Sequence, residues 1–141
     1  MESTKEFQEE TRRYFDRLAK DYDDSCDGRF VRCMYREVIR RAVSLPGDRV
    51  LDLGCGNGNL IRMLGEVKQV SCWGADLSPQ MIREAGKNLG EGVNLAVADA
   101  ASLPYGDGQF DIVICNASFH HYTEPERAVE EIRRVLRTGG T

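Results

Sequence analysis

The stretch "VLDLGCGNGNL", Val50–Leu60, begins as a run of apolar β-formers and then breaks into glycine at every second position, at Gly54, Gly56 and Gly58. Glycine at the end of a strand lets the backbone take positive φ and leaves the main chain uncovered. A helix that starts behind such a turn also offers N–H groups without intrahelical partners. The stretch therefore reads as the first strand, turn and helix of an α/β sheet, with the turn facing a ligand.

The chain on either side supports that reading. "RVLDLG" is the first strand, and "LIRML" a short helix stopped at Gly65. "QVSCWGAD" is the second strand, and "SPQMIREAGKNLG" a helix with Ser78 as N-cap, Pro79 at its first position and Gly90 as terminator. "VNLAVAD" and "FDIVICN" are the third and fourth strands. A last helix starts at a capping box, Thr123 to Glu126, and should bury Val129, Ile132, Val135 and Leu136. Strands and helices in strict alternation imply right-handed crossovers and a parallel sheet covered on both faces. The fold class is α/β, a Rossmann-like doubly wound sheet.

Two helices precede it. The first, roughly residues 3–20, carries Phe7, Thr11, Tyr14, Phe15 and Leu18 on one stripe. The acidic "DYDDSCDG" interrupts it. A second helix repeats Phe30, Met34, Val38, Ile39, Ala42 and Val43, and "LPGD" ends it. Residues 1–46 thus read as a helical cap and 47–141 as the sheet core, together one domain.

Composition narrows the partners. The 141 residues are 41% hydrophobic and 30% charged, as in an ordinary globular chain. A net charge of -4 provides no broad positive field for nucleic acid. No apolar run approaches the roughly 20 residues of a membrane span, and the amino terminus lacks a signal-peptide core, so a cytoplasmic location is expected. Five cysteines without metal-ligand spacing argue against disulfides and zinc, and those near strands read as small hydrophobes. The acidic run Asp21 to Asp27 lacks EF-hand spacing and reads as a solvated loop, so no metal is expected.

The details of the turn separate it from its relatives. A dinucleotide fingerprint needs a third glycine where this chain has Asn59, and a P-loop needs a lysine that is absent. The pattern is instead D-x-G-x-G-x-G, with Asp52 inside the strand. An acid there suits a ligand with a positive amino group. Asp76, 22 residues after Gly54, closes the second strand near the spacing of a ribose-binding carboxylate. Asp99 closes the third strand, placed to accept from an exocyclic adenine amine. Singly, Asp76 and Asp99 could be ordinary turn residues. Together with the glycines, the three acids match adenine, ribose and a zwitterionic amino acid.

On these residues the sequence resembles the class I S-adenosylmethionine-dependent methyltransferases of the ubiquinone and menaquinone type. "VLDLGCGNGNL", "GADLSPQMI", "VADAASLPYGDGQFDIVICN" and "SFHH" before "AVEEIRRVLRTGG" follow the family's motif order, and "YFDRLAKDYDD" is similar to its amino-terminal segment. The resemblance implies that Asp52, Gly54, Cys55 and Gly56 surround the methionine part of the cofactor and that Asp76 holds the ribose. Leu77 and Met81 would pack by the adenine, although both could also serve as core. Asp99 and Ala100 would bind its polar edge, Asn116 would lie beside the sulfonium, and Tyr22 would close over the site. His120 and His121, the only histidines, follow the fourth strand where a methyl acceptor should lie. Either could remove a proton, or both could simply shape the loop.

The expected activity is methyl transfer to a small-molecule acceptor. A non-catalytic cofactor-binding module is the alternative, and a nicotinamide-dependent oxidoreductase lacks its glycine pattern. Compared with the family, the chain stops at Thr141 before a fifth strand and a hairpin, so much of the acceptor half is expected to be missing. The resemblance implies the strand order third, second, first, fourth, which would leave "FDIVICN" as an open apolar edge, and a homodimer through that edge is expected.

Overall fold

The computed structural model describes residues 2–141. Helix α1 (Glu2–Leu18) runs through a 3-10 turn (Ala19–Asp24) into α2 (Cys26–Ser44). Then follow β1 (Arg49–Leu53), α3 (Asn59–Val67), β2 (Ser71–Asp76), α4 (Pro79–Leu89), β3 (Asn94–Val97) and β4 (Ile112–Ile114). A second 3-10 turn (Phe119–His121) leads into α5 (Pro125–Val135). The strands form one parallel sheet in the order β3-β2-β1-β4. The chain steps outward from β1 to β3 and then returns to β4, so the switch point lies between β1 and β4, where such sheets bind ligands.

Alternation along β1 builds both layers. Val50 packs with Tyr35, Leu60, Ile61 and Leu64 under α2 and α3. Leu51 and Leu53 face Phe110, Ala128 and Val135 under α5. Val50, Leu51 and Leu53 are all buried, each contributing about 1.5–3 kcal/mol through lost water contact. A strand apolar on both faces is what a covered parallel sheet requires.

Helix α4 starts and stops as its sequence dictates. Ser78 Oγ accepts from the Met81 N–H at 3.1 Å, Pro79 opens the helix, and Gly90 ends it at φ 66°. Two boundaries and two helix faces differ from expectation. Helix α3 does not stop at Gly65 but runs on to Val67, supported by an Arg62–Glu66 ion pair one turn apart. The Thr123–Glu126 capping box does not form. Pro125 takes the first helical position, Glu124 precedes it without a side-chain cap, and Thr123 turns toward a cleft instead. The buried face of α5 is Ala128, Ile132 and Val135, whereas Val129 is 52% exposed. The face of α2 is likewise rotated. Val31, Tyr35, Val38 and Ala42 point inward, and Phe30 is 63% exposed.

The outer edge of β4 is not bare. The Val113 N–H donates to the Thr141 carbonyl at 2.9 Å, and the Thr141 N–H donates to that of Asp111 at 3.0 Å. Just before it, the N–H of Arg137 donates to the Phe110 carbonyl at 2.8 Å. The chain's own last residues therefore occupy part of the expected self-association edge. Asp111 fixes this corner, accepting from the backbone N–H groups of Asp48 and Arg49, each at 3.0 Å, and from the Arg137 guanidinium at 2.6 Å. Bonds from the Arg49 side chain and these N–H groups hold its carboxyl well below the usual range. Among the described residues no helix is long and apolar enough to cross a membrane, and no cluster of three or more His, Cys, Asp or Glu is gathered to hold a metal.

Candidate functional site

At the carboxyl ends of β1, β2 and β4 lies a cleft of about 840 Å³ including its mouth. The glycine turn forms its floor, with the N–H groups of Gly54 and Cys55 both donating to the Ala75 carbonyl, at 2.7 and 3.0 Å. The three glycines have different reasons. A Cβ on Gly54 would strike Ser118, and one on Gly58 would strike Leu89, so these two admit the protein's own side chains. Gly56 is different. Its added Cβ would meet only the Met81 sulfur, at 4.0 Å, so this is where the main chain is open to the cleft.

Asp76 stands beside it with both oxygens engaged. Oδ2 accepts from the Gly56 N–H and Oδ1 from the Ser78 N–H, each at 2.9 Å. Burial pushes its pKa up, and these N–H groups oppose the shift. Leu77 and Met81 continue that wall. Met81 packs against Ala19 and Tyr22, and burial lifts the Tyr22 phenol to about 12. Tyr22 reaches the cleft from the 3-10 turn.

Asp99 and Ala100, just after the adjacent β3, also border the cleft. Asp99 Oδ1 accepts from the Ala101 N–H at 2.9 Å, and Oδ2 from the Gln8 side-chain amide at 2.6 Å. The amino-terminal segment is also tied down through two carboxylates. Asp16 accepts from Ser78 Oγ at 2.6 Å, and Asp23 accepts from the Asn57 and Asn59 amides at 2.9 and 2.7 Å.

The loop after β4 supplies the fourth side. Asn116 lines the cleft with its buried Nδ2 lacking a partner among the described residues. Ala117 takes φ 54°, a left-handed conformation costly for a residue with a Cβ. Ser118 Oγ donates to the Leu53 carbonyl at 3.0 Å and lies 3.0 Å from the Tyr122 hydroxyl, which locks this loop onto β1.

The structure separates the two histidines. His121 lines the cleft, edge-on to Phe15 at 5.0 Å, and burial followed by the charge of His120 lowers its pKa. The shift favours the neutral imidazole. His120 is exposed and does not border the cleft. Asp52 does not border it either. Only 3% exposed, it accepts no side-chain hydrogen bond among the described residues. Burial and then the charge of Asp76 push its pKa up to about 7. The cleft also gathers residues the motifs do not reveal, among them Gln8, Tyr35, Ser118 and Tyr122. Tyr35 was readable from the spacing Val31, Tyr35, Val38. The others are brought in by packing between distant segments.

A parallel β3-β2-β1-β4 sheet with a glycine turn after β1 and an acid closing β2 defines a Rossmann-like α/β fold. Residues 51–141 match the family described as a methyltransferase domain, and the chain belongs to that family, with the class I methyltransferase fold. It is 36% identical over 138 residues to the malonyl-[acyl-carrier protein] O-methyltransferase of Geobacter sulfurreducens, covering 92% of this chain and 49% of that one. It is 38% identical over 109 residues to the demethylmenaquinone methyltransferase of Thermus thermophilus, covering 72% and 50%. Among solved structures, a complex of the Haloferax volcanii Trm112 methyltransferase activator with a protein described as a methyltransferase aligns with a TM-score of 0.77 and 31% identity, covering 89% and 57%. The chain spans about half the length of these curated relatives.

Proposed function

We propose that this chain binds S-adenosylmethionine in the cleft and serves methyl transfer to a small-molecule acceptor. The observation that carries this reading is the convergence of Asp76, Asp99 and the open main chain at Gly56 in one cleft, whose lining also includes Asn116 with its unpaired amide nitrogen. The donor set fits the cofactor. Asp76 would take the ribose hydroxyls, Asp99 and Ala100 the polar edge of adenine, and Leu77 and Met81 its faces. Gly54, Cys55 and Gly56 would hold the methionine part, with Asp52 behind the turn.

When bound, the cofactor supplies a methyl group on a sulfonium, already an activated leaving group. What remains for the chain is alignment and exclusion of water. Phe15, Tyr22 and Tyr122 form apolar walls for that purpose. The Asn116 amide can donate to an oxygen atom of a ligand, and the neutral His121 imidazole can accept a proton from an acceptor.

The relative named for demethylmenaquinone supports a small-molecule acceptor. Residues 1–46 act in this reading as a cap on the sheet, in a cytoplasmic protein. Self-association would use β4 beyond Val113, and light scattering at high concentration tests it. The deciding experiment is a calorimetric titration with S-adenosylmethionine and S-adenosylhomocysteine, with Asp76→Ala as control. Saturable binding lost in the variant is the expected result. Binding without methylation of any acceptor would favour a non-catalytic module, and no binding would defeat the reading.

A further inference from the structure

Gln8 stands where part of a ligand should. Its side-chain amide donates to Asp99 Oδ2 at 2.6 Å, while Oδ1 is held by the Ala101 N–H. In the cofactor reading above, on which this inference rests, Asp99 is the acceptor for the exocyclic amine of adenine. A primary carboxamide presents the same planar NH₂ donor. Gln8 also lines the cleft itself.

The way α1 is fastened gives this contact its meaning. Two turns beyond Gln8, Asp16 accepts from Ser78 Oγ at 2.6 Å and from the Gln80 N–H at 3.2 Å. Further on, Asp23 is bound by Asn57 and Asn59. Before Gln8, by contrast, no side chain of α1 hydrogen-bonds to the rest of the fold among the described residues. The ion pairs of Glu9 with Arg12 and Arg13 stay within the helix, and Phe7 is half exposed. The carboxyl end of α1 is pinned, and its amino end hangs on one hydrogen bond.

We propose that Gln8 is an internal stand-in for the adenine amine. Its amide occupies Asp99 in the free protein, and the cofactor must exchange it for adenine, releasing the amino end of α1. The apparent affinity is then the intrinsic affinity reduced by the fraction of molecules in which Asp99 is free. The helix is a gate whose latch and whose ligand compete for one carboxylate oxygen.

The test titrates the wild type, Gln8→Ala and Asp76→Ala with S-adenosylhomocysteine by calorimetry and follows α1 by hydrogen exchange. Gln8→Ala should bind about tenfold more tightly, as expected for removing a latch that is closed most of the time. Amides of residues 3–11 in the wild type should exchange faster when ligand is present, approaching the rate of ligand-free Gln8→Ala. Unchanged or weaker binding by Gln8→Ala, or slower exchange of α1 on binding, would overturn the gate and make Gln8 a positioning residue above bound adenine. A wild type that binds no ligand, like Asp76→Ala, overturns the cofactor reading and the gate with it. The two failures are thereby distinguishable.

Discussion

A Cβ placed on Gly54 would lie 2.5 Å from the Cβ of Ser118, so the turn after β1 and the loop after β4 are packed as one unit across 64 residues of chain. Gly54→Ala forces a left-handed residue at φ 79° and displaces that loop. The two costs, about 1–2 and about 1–3 kcal/mol, predict a loss of about 3 kcal/mol in urea unfolding. Combining it with Ser118→Gly should recover part of the loss, because the colliding atoms are gone. Additive losses would show that Ser118 is not the obstacle.

Gly56→Ala has a different signature. The added methyl has room, and φ 53° costs only about 1 kcal/mol, so the variant should fold. Its methyl projects from the one stretch of open main chain in the turn. Calorimetry should show cofactor affinity falling by more than tenfold, well beyond the stability change. Equal affinities for Gly56→Ala and wild type would remove this position from the site.

Asp52 should make stability depend on pH in an uncommon direction. Its folded pKa, pushed up to about 7 by burial and Asp76, lies above that of an unfolded aspartate near 3.9. Between these values the native state holds more protons than the unfolded state, so its contribution to stability falls as pH rises from about 4 to about 7. Asp52→Asn removes that slope. Thermal melts should show the variant gaining on the wild type across this window, and parallel curves would refute the buried, unpaired assignment.

Asp111 closes the corner between β1, β4 and the last residues. Asp111→Ala leaves the Asp48 and Arg49 N–H groups without their acceptor and the Arg49 and Arg137 guanidiniums without their partner. A loss of about 3 kcal/mol is expected in urea unfolding, dominated by the unpaired backbone donors. Arg137→Ala, which leaves those two bonds in place, should cost much less.

The two histidines give opposite predictions for turnover. His121→Asn should lower the rate with little change in cofactor affinity, whereas His120→Asn should leave the rate close to wild type. Because burial and His120 hold the His121 pKa below the ordinary imidazole range, the basic form is already dominant at neutral pH. The rate should therefore fall only on acidification, which a pH profile of kcat/KM measures.

Local chemistry made much of this molecule legible before folding. The β1 pattern and the Ser78, Pro79 and Gly90 signals of α4 depend on side-chain period and backbone preference, which neighbours in sequence decide, whereas the strand order came only from the family resemblance. The acids at Asp76 and Asp99 were visible for the same reason, since each ends a strand that the apolar pattern marks. Where helix faces depended on which side the sheet covers, the pattern was ambiguous. Phe30 and Val129 are apolar yet exposed, while Tyr35 and Ala128 take the inward positions.

Only the tertiary structure decided which groups meet. That Gly54 and Gly58 make room for Ser118 and Leu89 is a contact between segments that no local spacing encodes. The same holds for Gln8 on Asp99, and for the cleft that takes in His121 and leaves His120 outside. Sequence by itself determined the elements and the chemical types at their ends, because backbone preference and hydrophobic period act over a few residues. Packing decided the partners of those groups, because burial and charge act through space between parts of the chain that sequence keeps far apart.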